Sequence, residues 1–254
     1  MKKEITAIIP AKGMSNRLTA KNTLPFGDSN LLVHKIRQLK AVENIKEIIV
    51  SSEDDMILSL AECEGVRAIK RPIEFSTETK PFQEFLYYIV GEAKCDHVMW
   101  ACCTSPMVGS ELYQKGCETY FNKVQEGYDS LITVMEYKHY LLDEDMKPYT
   151  FEWGPGHKNS QELKKLYFFT DGIQLASKEN MRKWRYYFGQ KPYGLEVNFK
   201  DSVDIDTVYD YIMGQMLYLL DENKINDLGL DQKNGDIMFK FLVSQIIEKY
   251  KEIT

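Results

Sequence analysis

From residue 5 to residue 135, short β-branched runs alternate with amphipathic helical stretches, which predicts an α/β fold with a mostly parallel sheet covered by helices on both faces. Two observations at the start of the chain sharpen this. The run 5–9 is apolar throughout rather than alternating, as a strand buried on both faces requires. Pro10 then ends its ladder, so the glycine- and cation-containing stretch that follows is a loop at the C-terminal edge of a strand, where open α/β sheets bind ligands.

That loop is the richest segment of the chain. Lys12, Arg17 and Lys21 supply positive charge, Gly13 allows close backbone approach, and Ser15 offers a hydroxyl. Successive N–H groups in such a turn make an anion-binding concavity that suits a triphosphate. Gly-x-Ser-x-Arg is neither a Walker loop nor Gly-x-Gly-x-x-Gly, so it needs support from elsewhere in the sequence.

Leu31, Leu32, Lys35, Ile36, Leu39 and Val42 share one stripe of a first helix. Strands follow at 46–51 and 66–69, and a second helix presents Phe82, Phe85, Leu86, Ile89 and Val90. Further strands are expected over 97–103 and 130–135; in the former, Cys102 and Cys103 point to opposite faces as packing residues. Residues 136–166 lapse into a polar, aromatic, Gly-Pro-containing insertion, and long irregular segments of this kind are functional, disordered or engaged with another chain. Strand character returns over 166–176, and an amphipathic helix is expected over 207–220. A final helix within 234–254 reads as packing, and all 254 residues are taken as one domain.

Bulk properties restrict function. A net charge of −6 opposes a general nucleic-acid binder and makes the basic loop a local feature aimed at a small anion. No apolar run approaches the roughly 20 residues that cross a membrane, and the polar start does not read as a signal peptide, so a cytoplasmic protein is expected. Five cysteines without a C-x-x-C pair indicate neither a disulfide framework nor a zinc site.

Support for the loop comes from Ser202-Val203-Asp204-Ile205-Asp206-Thr207. Two carboxylates two residues apart in extended chain face one side, and hard oxygen ligands suit Mg²⁺ completed by water and substrate phosphates. The competing possibility is that one aspartate caps the helix beginning near Thr207.

The segments Ile9-Pro10-Ala11-Lys12-Gly13-Met14-Ser15-Asn16-Arg17-Leu18-Thr19-Ala20-Lys21-Asn22, Val50-Ser51-Ser52-Glu53-Asp54, Arg71-Pro72-Ile73-Glu74, Thr104-Ser105-Pro106 and Val203-Asp204-Ile205-Asp206-Thr207 resemble, in order and spacing, the CMP-sialic acid synthetases. These acylneuraminate cytidylyltransferases are related to the 3-deoxy-octulosonate and pseudaminate enzymes. The resemblance covers about residues 4–222. It implies a Rossmann-like nucleotidyltransferase fold and a homodimer in which the irregular insertion reaches the partner's sugar site. The implied reaction joins CTP and a small acidic sugar, a sialic-acid-like 2-keto-3-deoxy acid, to give the CMP-sugar and pyrophosphate for surface polysaccharide or glycoprotein assembly.

By the same resemblance Ala11, Lys12, Gly13, Ser15, Lys21, Asn22, Ser52 and Arg71 bind nucleotide, and Asp204 and Asp206 bind Mg²⁺. Lys12, Arg17, Lys21 and Asp206 carry the chemistry, while Cys102, Thr104, Ser105, Gln161 and Asp171 face the acceptor. In the insertion, His157, Asn159 and Ser160 beside Gln161 offer the hydrogen bonds a polyhydroxylated acceptor needs, whereas His34, His97 and His139 have no partner visible in the sequence and are left unassigned.

Departures from the family pattern are concentrated on the acceptor side. Lys12 replaces an arginine and Asn16 a lysine, with Arg17 adjacent; Cys102-Cys103 replaces Gln-Pro, Val108 an arginine, and Asp171-Gly172-Ile173 an Asn-Gly-Ala. An acceptor other than ordinary N-acetylneuraminate is therefore expected, another nonulosonate or related acid whose amine Asp171 could pair; the competing possibility is that Asp171 only bonds backbone or a neighbouring cation. The alternatives are a cytidylyltransferase for a phosphonate, phosphorylated sugar or polyol, and a catalytically degenerate nucleotide-binding scaffold.

Overall fold

The computed structural model describes residues 2–13, 18–77 and 79–220, together with Ser244. Ser15, Arg17 and, apart from Ser244, the helix expected within 234–254 lie outside the described residues. Nine strands and six helices are described: β1 Ile5–Pro10, β2 Pro25–Phe26, β3 Ser29–Asn30, α1 Leu31–Lys40, β4 Ile45–Ser52, α2 Asp55–Cys63, β5 Arg67–Lys70, α3 Phe82–Gly91, β6 His97–Trp100, α4 Ser110–Gln125, β7 Ser130–Tyr137, β8 Leu166–Ser177, α5 Lys178–Trp184, β9 Pro192–Glu196 and α6 Val208–Leu219.

Seven strands form one sheet in the order β5-β4-β1-β6-β8-β7-β9, and β2 pairs with β3 in a separate hairpin. The pairs β5/β4, β4/β1, β1/β6 and β7/β9 are parallel, whereas β8 runs antiparallel to both β6 and β7. The expected mostly parallel sheet is therefore present, with one reversed strand. Residues 138–165, between β7 and β8, hold an isolated Leu142–Pro148 bridge and a 3-10 turn at Ser160–Glu162.

Burial explains why β1 is apolar on every position. Ile5, Ala7 and Ile9 enter one core with residues of α1, α2 and α4, while Ile8 enters a second with Phe85, Leu86, Ile89 and Val90 of α3 and Met181 of α5. Helices thus cover both faces. Chain winding runs outward from β1 to β4 and β5, then returns across the sheet to β6. The loops after β1 and β6 part at that reversal, leaving a crevice at their C-terminal ends.

Three local outcomes differ from the sequence expectation. The strand expected over 97–103 ends at Trp100, because the Ala101 N–H makes its last bond to the sheet at the Ile8 carbonyl and the chain then turns, Ser105 N–H donating to the Cys102 carbonyl. Cys102 and Cys103 consequently sit in a turn. β9 was not expected because Pro192 and Gly194 break any alternation; proline is tolerated there as the first residue of an edge strand. The helix expected near Thr207 is capped by Thr207 itself, whose hydroxyl accepts from Asp210 N–H while the Asp210 carboxylate accepts from Thr207 N–H. Neither Asp204 nor Asp206 supplies the N-cap side chain.

β8 carries a bulge. Val134 opposes Phe169 and Ile132 opposes Gln174, so Thr133 alone faces residues 170–173. The Thr133 hydroxyl fills the gap, accepting from Ile173 N–H at 2.9 Å and from the Thr170 hydroxyl at 2.7 Å. A Cβ at Gly172 would lie 2.9 Å from Thr133 Oγ1 and 3.1 Å from Val108 Cγ2. Since Thr133 is buried and held by these bonds, it cannot yield cheaply. Gly172→Ala is expected to lower stability by about 1–3 kcal/mol, measured as a shift in the urea unfolding midpoint.

Candidate active site

A cleft of about 820 Å³ opens at the C-terminal edge of β1 and β6. Pro10 and Lys12 enter it from β1, Cys102, Cys103 and Thr104 from the turn after β6, Asp171 from the bulge, and Asp204 with Asp206 from the chain before α6. Lys21, Asn22 and Arg71 complete the polar side. Nine of the sequence-derived candidates thus share one cavity: Lys12, Lys21, Asn22, Arg71, Cys102, Thr104, Asp171, Asp204 and Asp206 line it.

The loop after β1 is held by backbone-directed bonds. Asn22 is buried, donating from Nδ2 to the Lys12 carbonyl at 2.7 Å and accepting at Oδ1 from the Cys103 thiol at 3.3 Å. It ties the two loops that flank the crevice. Gly13 N–H donates to Glu53 Oε1 at 2.8 Å, and a Cβ there would approach Asp54 Cβ to 2.5 Å, so the turn requires glycine. Arg71 is buried against Ser51, donating to its carbonyl at 2.6 Å, with its guanidinium 4.0 Å from the centre of the Phe85 ring. Burial lowers its pKa to about 10, opposed by Glu53, which leaves a fixed cation at neutral pH.

The acidic side is closely packed. Lys21 Nζ lies 2.9 Å from Asp206 Oδ1, across 185 positions of sequence. Burial is the largest influence on Asp204 and raises its carboxyl to about 6; a hydrogen bond from Thr104 works against this, and Asp171 and Asp206 add to it. Asp171 is also raised, by burial first and then by Asp206, with Lys21 opposing. Asp204 Oδ1 is buried and has no hydrogen-bond partner among the described residues. An orphaned carboxylate oxygen among like charges is the donor chemistry a hard cation satisfies. Among the described residues no group of three or more His, Cys, Asp and Glu side chains encloses a metal, so a cation here would complete its shell from ligand oxygens and water.

Several sequence candidates lie off the cleft. Ala11 is fully buried, its N–H bonded to the Ser51 carbonyl, and Ser52 is fully buried with its hydroxyl accepting from Asp54 N–H. Ser105 is buried beneath the turn, with its carbonyl bound by Lys35. Gln161 is exposed on the 3-10 turn of the insertion, away from the cavity. His157 stacks on Tyr140 in the insertion, and His97 is buried against the Tyr120 hydroxyl, which removes both from the cleft.

The sequence reading missed the aromatic lining. Phe75, Phe82, Phe85, Trp100 and Tyr187 line the same cleft, as does Lys80. Phe82 and Phe85 carried a signal, since their helical spacing was visible, yet spacing cannot separate a core stripe from one whose end faces a cavity. Both cysteines stay as thiols: burial pushes Cys103 up to about 11 and Cys102 well above its ordinary value. A nucleophilic thiolate is therefore not available at neutral pH.

Comparison with known proteins follows this geometry. The family model described as Cytidylyltransferase matches residues 6–219. The chain is 23% identical over 222 residues to a pseudaminic acid cytidylyltransferase of Campylobacter jejuni, covering 83% of this chain and 94% of that protein. It is 22% identical over 259 residues to an N-acylneuraminate cytidylyltransferase of Streptococcus agalactiae, covering 95% of this chain and 58% of the relative. Among solved structures, a CMP:2-keto-3-deoxy-manno-octonic acid synthetase complexed with CTP matches with a TM-score of 0.59 at 12% identity, over 87% of this chain and 99% of that one. A 4-diphosphocytidyl-2C-methyl-D-erythritol synthase from Anaerococcus prevotii matches with a TM-score of 0.60 at 16% identity, over 84% and 97%. These structural likenesses establish the fold.

The raised Asp204 carboxyl has a measurable consequence. The folded chain keeps this proton up to about pH 6, whereas an unfolded chain releases it near the ordinary value of 3.8. Wild-type stability therefore falls as pH rises through that window and does not recover above it. Asp204→Asn is expected to raise stability at neutral pH by about 1–3 kcal/mol and to leave it nearly unchanged below about pH 4, read by urea unfolding at the two pH values.

Proposed function

Because this chain belongs to the cytidylyltransferase family, we propose that it transfers CMP from CTP to the anomeric hydroxyl of a 2-keto-3-deoxy sugar acid of the sialic-acid type, releasing pyrophosphate. One observation carries this: the cationic loop after β1 and the Asp204–Asp206 pair meet in a single cleft, Lys21 bridging to Asp206 at 2.9 Å. The named relatives that act on pseudaminic acid and N-acylneuraminate support the acceptor class.

The chemistry asks for positioning and charge neutralisation rather than a protein nucleophile. The new bond forms between the acceptor oxygen and the α-phosphorus as the bond to pyrophosphate breaks, and negative charge grows on the leaving group. Lys12 and Lys21 carry the ammonium groups that meet that charge, and Arg71, stacked on Phe85, is a cation that cannot swing away. Asn22 fixes the loop between the Lys12 carbonyl and Cys103, so the cations are oriented before substrate arrives. Asp204 and Asp206 are the residues that would hold Mg²⁺, which when bound supplies further neutralisation of the phosphates.

Asp171 faces the acceptor side from its bulge, where a carboxylate pairs with an amine-bearing sugar acid. Cys102 and Thr104 border the same end. The reading includes a homodimer. Met146, Tyr149 and Trp153 of the insertion are each strongly exposed, which supports a second copy packing on that segment.

The deciding experiment is a pyrophosphate-release assay with CTP and a panel of 2-keto sugar acids, some amino-substituted. Turnover with at least one acid is expected. Silence with every acid but release with a phosphorylated polyol would reassign the acceptor. Asp206→Ala is expected to abolish metal-dependent release while the circular dichroism spectrum stays that of the wild type. Lys21→Ala should reduce kcat by about 10²–10³, the size of losing an oxyanion donor. A change confined to the acceptor KM would instead move Lys21 to the sugar end.

A further inference from the structure

Lys35 lies in the apolar stripe of α1 and is fully buried. Its ammonium donates to the Ser105 carbonyl at 2.9 Å, the Val108 carbonyl at 3.2 Å and the Tyr113 hydroxyl at 2.8 Å. All three partners are neutral. A lysine is costly to bury without a carboxylate, so its place here calls for a reason beyond packing.

The partners supply that reason. Ser105 and Val108 bracket the turn after β6 whose Cys102, Cys103 and Thr104 line the cleft. His34 Nε2 and Gln38 Nε2, from the same face of α1, both reach the Pro106 carbonyl, at 3.2 and 2.7 Å. Thr104 in turn accepts at its carbonyl from Ile205 N–H at 2.8 Å and hydrogen-bonds the Asp204 carboxylate. Tyr113 donates to the Gly172 carbonyl at 3.4 Å, beside Asp171 on the bulge. One buried amine therefore underlies the turn after β6 directly, and through Tyr113 and Thr104 the bulge and the segment before α6 that carries the two aspartates.

We propose that Lys35 is a positioning residue for cytidylyl transfer: its buried ammonium holds the turn 102–108, and through Thr104 the Asp204 carboxylate, in the geometry that the acceptor's attack needs. This rests on the function proposed above. The charged amine donates to all three at once, whereas the neutral amine has two protons and a lone pair, so one of the three donations is given up. Burial lowers Lys35 to about 7, opposed by weak attraction to Cys103 and Cys102, so this count changes within the physiological range. The ionisable groups set against it are the thiols of Cys103 and Cys102 from the turn and the Tyr113 phenol from α4, with Cys117 beyond the phenol; Tyr113 links it to the Gly172 carbonyl of β8, next to Asp171. Burial keeps these thiols and the phenol protonated well above neutrality, so within this group Lys35 is the one that changes charge near pH 7.

The test compares wild type with Lys35→Met, which keeps volume and removes the amine. Below pH 7 the variant's kcat for pyrophosphate release is expected to fall about tenfold with the CTP KM unchanged, the effect of one lost charged hydrogen bond. The ratio of wild-type to variant kcat should shrink as pH rises through about 7, because the wild-type amine is then neutral. Tyr113→Phe removes one hydroxyl from the same network and should give a smaller loss of the same kind, which serves if the methionine variant does not fold. A ratio that does not change with pH, or a loss expressed in the CTP KM, overturns the assignment. Amide hydrogen exchange across the turn 102–108 of the ligand-free protein gives an answer independent of turnover. Exchange should rise in either variant as the turn loses a buried bond, and unchanged exchange also overturns the assignment. A wild type silent with every acceptor defeats the proposed function, and exchange in the turn still decides the role of Lys35.

Discussion

The Lys21–Asp206 pair is the interaction on which the cleft depends. It joins the loop after β1 to the chain before α6 at 2.9 Å, and both side chains are only partly exposed. Three carboxylates converge here, and burial together with mutual repulsion raises two of them. Without a cation the site would protonate or spread apart. Lys21 is the counter-charge the chain itself supplies, and the orphaned oxygen of Asp204 shows that one ammonium does not satisfy the group. A site left incomplete in the free protein is suited to binding a ligand that brings both charge signs, as a nucleotide with its cation does.

The sheet makes that convergence possible. Parallel pairing of β1 with β4 and β6 aligns their C-terminal ends, and the return of the chain across β1 opens the crevice between the loops that follow β1 and β6. The reversed strand β8 then carries a bulge to the same edge, where Gly172 allows the tight approach to Thr133 and Val108 that brings Asp171 to the cleft. α1 supports the arrangement from below with Lys35, His34 and Gln38, each spent on a carbonyl of the turn 105–108. Rigid elements therefore hold the polar groups, and the described part of the loop after β1 is tied by Asn22 to the Lys12 carbonyl and by Gly13 N–H to Glu53.

Much of this was legible before the fold was known. The unbroken apolar run of β1, the proline that ends it and the glycine beyond it identify a ligand-binding edge, since each reflects a local steric rule. The two-residue spacing of Asp204 and Asp206 fixes a shared side for the same reason, and both do line the cleft. Ser52 and Ser105 are buried off the cleft lining, and a hydroxyl beside a motif gives no sequence signal of whether it points into the cleft or beneath it. The aromatic wall was hidden within a helical stripe that reads as ordinary core.

The sequence by itself determined the alternation of strands and helices, the cationic turn and the acidic couple, because these rest on near-neighbour sterics and side-chain periodicity. Only the tertiary structure decided the direction of β8, the bulge that presents Asp171 and the burial of Lys35. Each of those depends on partners far along the chain: Thr133 opposite the bulge, and the carbonyls of Ser105 and Val108 that lie 70 and 73 positions from Lys35. A lysine at a core position in sequence is a contradiction that only remote acceptors resolve, since the free energy of burying its charge is set by what surrounds it.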